Sequence, residues 1–148
     1  MLRTRGRPVE ILLVEDDAGQ AERISDVFRT SGVPCAVTVV DNGDGALAWV
    51  GGAAGRSGRP RPDLIVLDLN MPTQPDGRAV LEALKKDPAS HRVPVVVLTA
   101  SASASDVEAC YRRDANAYVV KPRDPAEFDK AMKALAVFWL EVVTLVPR

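Results

Sequence analysis

Several chemistries are excluded by what this chain lacks. It has only two cysteines, Cys35 and Cys110, with no CxxC spacing. Both lie in apolar periodic stretches, as expected of two reduced core thiols rather than a disulfide or a thiolate metal site. The one histidine, His91, stands in the polar run Pro88-Ala89-Ser90-His91-Arg92 and reads as a surface residue. A formal charge of -1 leaves no basic footprint for nucleic acid or an anionic membrane. No apolar run approaches the ~18 residues of a membrane span. Met1 to Pro8 is basic but has no apolar core before a small-residue cleavage site, so it reads as a disordered N-terminal segment, not a signal peptide. The expectation is a soluble, cytoplasmic protein with neither nucleic acid nor membrane as partner.

What is present is a repeated pattern of branched apolar runs, each stopped by a polar residue. Val9 to Val14 ends in Glu15-Asp16-Asp17, and helical periodicity follows at Ala21, Ile24, Val27 and Phe28 until Ser31-Gly32. Cys35 to Val40 is a second strand, closed by Asp41-Asn42-Gly43, with a short helix at Ala46 to Val50. Gly51 to Pro62 is rich in Gly, Arg and Pro and has no apolar period. It reads as a solvated loop in which Arg56, Arg59 and Arg61 are weak candidates for touching a partner. Leu64 to Leu67 is apolar without alternation, the habit of a strand buried on both faces. It stops at Asp68, followed by Leu69-Asn70-Met71-Pro72.

A helix with Val80, Leu81 and Leu84 on one stripe leads to a fourth strand, Pro94 to Leu98, which closes on Thr99-Ala100-Ser101. The helix near Asp106 to Arg113 has Val107, Cys110 and Tyr111 as its expected inward stripe. Ala117 to Val120 is the fifth strand, stopped by Lys121-Pro122, and the last helix starts near Pro125, a favoured first-turn residue. Five alternations of strand and helix in 148 residues predict one α/β domain. The architecture is a five-stranded parallel doubly wound sheet of the flavodoxin-like type, strand order 2-1-3-4-5.

In such a sheet the strand carboxyl ends share one edge. Glu15, Asp16, Asp17, Asp68, Thr99 and Lys121 therefore converge. Asp68 alone could as well open a turn, Thr99 end a strand and Lys121 be a surface charge. Their joint occurrence at successive strand ends makes a site. Neighbouring carboxylates repel by ~4 kcal/mol per close pair at an effective dielectric near 20, so a cation should compensate them, and an all-oxygen site with few protein ligands favours Mg²⁺. No Gly-rich phosphate loop follows the first strand, which argues against a nucleotide. The arrangement suits a phosphoryl group carried on Asp68 itself, with Lys121 and the Thr99 hydroxyl bonding its oxygens.

The runs Val14-Glu15-Asp16-Asp17, Asp68-Leu69-Asn70-Met71-Pro72, Asp76-Gly77, Leu98-Thr99-Ala100-Ser101 and Tyr118-Val119-Val120-Lys121-Pro122 resemble receiver domains of two-component response regulators. The resemblance covers about Val9 to Arg123, with residues 9–148 read as the domain and its extended C-terminal helix and tail. It implies that Asp68 takes a phosphoryl group from a sensor histidine kinase or a histidine phosphotransfer protein. It also implies that Glu15, Asp16 (the more direct ligand), Asp68 and the Asn70 backbone carbonyl hold Mg²⁺, and that Thr99 and Tyr118 form a switch pair. The Lys121-Pro122 bond would be cis. One departure is visible: Thr73-Gln74-Pro75 puts three residues where the family usually has two, which leaves the phosphoryl lifetime open.

The last helix has a core stripe at Met132, Leu135 and Trp139, but Ala134 to Leu140 is apolar on every side. Two covers are open to this surface, a tail folding back and a second copy. The second is the expectation, with Phe138, Trp139, Leu140 and Val143 as the homodimer interface. Phe138-Trp139-Leu140 with Val143 and Leu145 also resembles the end of stand-alone receivers that partner phytochrome-type sensor kinases. The expected function is thus a non-enzymatic phosphoacceptor that signals by protein contact or relay. The alternatives are a Mg²⁺-dependent phosphohydrolase, which would need an acid where Asn70 stands, and a binding module that ignores phosphorylation.

Overall fold

A computed structural model describes residues 6–50 and 59–147. Five parallel strands, β1 (Val9–Val14), β2 (Cys35–Val40), β3 (Leu64–Leu67), β4 (Val95–Thr99) and β5 (Ala117–Val120), form one sheet in the order β2-β1-β3-β4-β5. The helices α1 (Ala18–Arg29), α2 (Gly43–Val50), α3 (Gly77–Lys86), α4 (Ala104–Arg112) and α5 (Pro125–Val137) alternate with them. Parallel neighbours require such crossovers.

Burial follows strand position. β3 and β4 are buried throughout, whereas the edge strands β2 and β5 are half-exposed. Because successive strand side chains point to opposite faces, the sheet feeds two cores. Ile11, Leu13, Leu64, Val66, Val96 and Leu98 face α1 and α5. Leu12, Val14, Ile65, Leu67, Val95 and Val97 face α2, α3 and Cys110 of α4. Neither Cys35 nor Cys110 is in a disulfide, and His91 is exposed in its loop.

Aspartates open three of the helices that leave the functional edge. Asp17, Asp76 and Asp124 each accept a backbone N–H from the first turn, of Gln20, Ala79 and Glu127, satisfying donors that have no intrahelical partner.

Three expectations need correction. Tyr111 is 49% exposed and does not join Cys110 inside; α4 leans on the edge strand β5, so its buried stripe is narrow. The Lys121–Pro122 bond is trans, and the cis bond among the described residues is Gln74–Pro75, in the lengthened loop. At the C-terminus the chain covers much of its own apolar surface. The last helix passes into a π-helical turn, Phe138–Val142, closed by Val143 N–H donating to Phe138 O at 2.8 Å. Four residues on from Leu135 and Ala136, Trp139 and Leu140 fall on the same inner face and are buried in the chain's own core. Val143 and Leu145 pack against it. Trp139 and Leu140 are therefore not free to form the expected interface, and Phe138, Val137 and Val142 remain exposed. The basic segment Met1 to Pro8 lies outside the described residues as far as Arg5, as does the arginine loop from Gly51 to Gly58. Beyond it, the Arg59 guanidinium lies over the Trp49 ring, 4.6 Å from its centroid.

Candidate functional site

The strand order reverses between β1 and β3, the switch point at which open α/β sheets place their ligands. Backbone bonds bring the acids to it. Glu15 N–H continues the sheet by donating to Val40 O at 3.0 Å, and Asp68 N–H donates to Val14 O at 2.9 Å. Asp68 is thereby held beside the end of β1. Lys121 N–H donates to Thr99 O at 2.7 Å, which sets the lysine alongside the end of β4.

Glu15, Asp16 and Asp68 each present a carboxylate oxygen within 4.8 Å of the others. Glu15 and Asp68 are buried, while Asp16 is exposed to solvent. Into this trio comes the Lys121 ammonium, 2.5 Å from Glu15 Oε1, 2.6 Å from Gln20 Oε1 and 3.3 Å from Asp68 Oδ2. Only 9% of the lysine side chain is exposed, so the ion pairs operate at low dielectric. Burial pushes the Glu15 carboxyl up to about 7, and its hydrogen bond and like charge with Asp68 add to the rise, against the downward pull of Lys121. One ammonium does not neutralise this pocket. Three convergent carboxylates with too little positive charge are a donor set that fits a hard divalent cation.

Thr99 is fully buried, and its Oγ1 accepts from Asn70 Nδ2 at 3.1 Å and from Ser101 N–H at 3.3 Å. Asn70 N–H in turn donates to Asp68 Oδ1 at 3.1 Å. Tyr118 lies half-buried against the second core and donates its hydroxyl to Ser101 O at 2.9 Å. Ser101 thus touches both members of the expected switch pair. Its own hydroxyl donates to Asp106 of α4, which is also ion-paired with Arg78 of α3. Asp17, counted among the acids of the first strand end, caps α1 and stays outside the carboxylate trio.

Two contributors escaped the sequence reading. Gln20 follows its N-cap by three residues in the first turn of α1, a placement that does aim it at the sheet edge. Arg78 has no such signal. The lengthened loop packs tightly: a Cβ on Gly43 would lie 2.4 Å from Pro75 O, and one on Gly77 would lie 2.5 Å from Leu69 Cα. Both helix starts require glycine so that the chain beside Asp68 can approach.

Comparison with known proteins agrees with this geometry. The family described as "Response regulator receiver domain" matches residues 11–133. The response regulator Rcp1 of Synechocystis sp. is 39% identical over 138 residues, 93% of each chain. The crystal structure of its Mn²⁺-bound form superposes with a TM-score of 0.88, covering 94% of this chain and 99% of that one. The phosphorylated cyanobacterial phytochrome response regulator RcpA is 37% identical, with a TM-score of 0.85 over 94% of this chain and 99% of that one. The matched segment contains the sheet from the third residue of β1 onward and every strand end that builds the acidic pocket, and the likeness to Rcp1 runs nearly the length of both chains. The chain belongs to the receiver domains of two-component response regulators, as a homologue of the response regulator Rcp1 and of the cyanobacterial phytochrome response regulator RcpA.

Proposed function

We propose that Asp68 accepts a phosphoryl group from the phosphohistidine of a sensor histidine kinase, of phytochrome type by its relatives, or of a histidine phosphotransfer protein. The observation that carries this reading is the Lys121 ammonium, almost buried and 3.3 Å from Asp68 Oδ2. An Asp68 oxygen attacks phosphorus, the P–N bond breaks, and its electron pair leaves on the imidazole nitrogen. Lys121 offsets the charge on the phosphoryl oxygens, and the Thr99 hydroxyl, once turned from Asn70, bonds another of them.

Receiver domains bind a divalent metal at an acidic pocket. Here Glu15, Asp16, Asp68 and the Asn70 backbone carbonyl would hold Mg²⁺, which when bound draws charge from the transferring oxygens. Thr99 and Tyr118 are both hydrogen-bonded to the segment that follows β4. Movement of the Thr99 hydroxyl toward the phosphoryl group would release that segment and let Tyr118 turn inward.

The hydrolase reading is disfavoured by Asn70. Its amide cannot serve as a general acid, and its Nδ2 is already given to Thr99. For signalling by contact, the exposed Val137, Phe138 and Val142, with Val143 at their margin, are the surface for a second copy of this chain. Trp139 and Leu140 support that surface from beneath. The setting is cytoplasmic, where the kinase would donate and both thiols stay reduced; no helix among the described residues is long and apolar enough to cross a membrane. A charge of -1 offers nothing to nucleic acid.

The test is intact-mass measurement after incubation with acetyl phosphate and Mg²⁺. One phosphoryl adduct, absent in Asp68→Asn, supports the relay. Continuous phosphate release from unrelated monoesters would favour the hydrolase, and no adduct at all would leave a binding module.

A further inference from the structure

An ammonium has three N–H bonds to place, and around Lys121 three oxygens receive them. Two belong to groups with other work in phosphotransfer: Asp68 takes the phosphoryl group and Glu15 serves the cation. The third acceptor is Gln20 Oε1, at 2.6 Å. It is neutral, and it stands outside the carboxylate trio.

The placement of Gln20 is built into the chain on both sides. Its N–H donates to Asp17 Oδ1 at 3.0 Å, the bond that opens α1. Asp17 N–H donates to Glu15 Oε2 at 3.2 Å. Glu15, Asp17, Gln20 and Lys121 therefore close a ring, with the glutamate and the glutamine holding the ammonium from two sides. Lysine is a flexible four-carbon stem with a point charge at its tip, so a fixed ammonium needs a fixed partner.

We infer that Gln20 is a positioning residue for Lys121. It retains the ammonium over Asp68 when Glu15 turns to the cation and Asp68 is phosphorylated. This inference rests on the proposed phosphoacceptor role of Asp68. Without Gln20, the freed N–H either stays unpaired in a nearly buried site or draws Lys121 further onto Glu15, away from the reacting oxygens.

Gln20→Leu keeps the bulk and removes the acceptor. Its rate of phosphorylation by acetyl phosphate with Mg²⁺ should fall about tenfold, the scale of one lost charge-assisted hydrogen bond. The same substitution should change nothing further in a Lys121→Met background. A readout independent of phosphorylation is the Lys121 ¹⁵Nζ ammonium resonance in metal-free protein. A slowly exchanging signal is expected in the wild type and a broadened or lost one in Gln20→Leu. A competent wild type with an indifferent Gln20→Leu variant overturns the inference alone, as does an equal loss of rate in the Lys121→Met background. A wild type that takes up no phosphoryl group overturns the Asp68 reading together with the role of Gln20 that depends on it.

Discussion

Lys121 lies closer to Glu15 than to Asp68, 2.5 Å from Glu15 Oε1 against 3.3 Å from Asp68 Oδ2. The lysine thus answers the more buried acid first. Even so, Glu15 remains hard to ionise, raised from 4.5 to about 7 by burial before any other cause. Between those values the folded protein binds a proton that the unfolded chain has released, so folding stability must fall as pH rises through the window.

That fall amounts to at most on the order of 3 kcal/mol for Glu15, complete above about pH 7 and absent below about pH 4.5. Urea titrations at pH 5 and pH 8 measure it. Glu15→Gln should flatten the dependence, and millimolar Mg²⁺ should restore the wild-type protein at pH 8. A wild type equally stable at both pH values without metal would contradict the electrostatic picture of the pocket.

Gly77→Ala tests the loop beside Asp68. Its Cβ would stand 2.5 Å from Leu69 Cα and 2.7 Å from Asp68 O, both backbone atoms. The start of α3 or the turn after β3 must shift, at a cost of about 1–3 kcal/mol. Asp68 shifts with it, so phosphorylation by acetyl phosphate should slow as well. Full stability together with full rate would show that the close approach is dispensable.

The C-terminal turn separates packing from association. Trp139→Ala removes a buried ring and should cost about 3–5 kcal/mol in urea unfolding. Phe138→Ala, half-exposed and in edge contact with Trp139, should cost about 1 kcal/mol. Light scattering reads the other property. A dimer at micromolar concentration that Val142→Lys makes monomeric is expected, and a monomeric wild type ends the homodimer proposal.

The Arg78–Asp106 ion pair ties α3 to α4 and, through Ser101, to Thr99 and Tyr118. Its side chains are 40% and 21% exposed, so Arg78→Ala should alter global stability by no more than about 1 kcal/mol. Its local effect should be larger. Hydrogen exchange at the Ser101 N–H should speed up, with the rest of the sheet unchanged. Unchanged exchange there would show that the clamp does not hold the segment after β4.

These outcomes track what was legible in the chain. Glu15, Asp68, Thr99 and Lys121 could be located because each ends a branched apolar run, and parallel strands leave their ends at one edge whatever the loops do. Arg78 could not, since on a helix surface a solvated side chain and a bonded one have the same residue type, and Gln20 had only its first-turn position to mark it. Trp139 and Leu140 were recognisable as excess apolar surface. Which body covered them depended on where α5 ends and how the π-helical turn redirects the chain, and no local pattern encodes that. Tyr111 was misplaced because periodicity gives the direction of a buried stripe and not its width.

The central claim is that Asp68 carries a phosphoryl group beneath Lys121. A crystal grown with beryllium fluoride and Mg²⁺ tests it most directly. The account predicts beryllium fluoride on an Asp68 oxygen, with Lys121 Nζ bonded to a fluorine and the metal among Glu15, Asp16 and Asp68. Asp68 without the adduct, under conditions in which Mg²⁺ is bound, and with Lys121 still on Glu15, would contradict it.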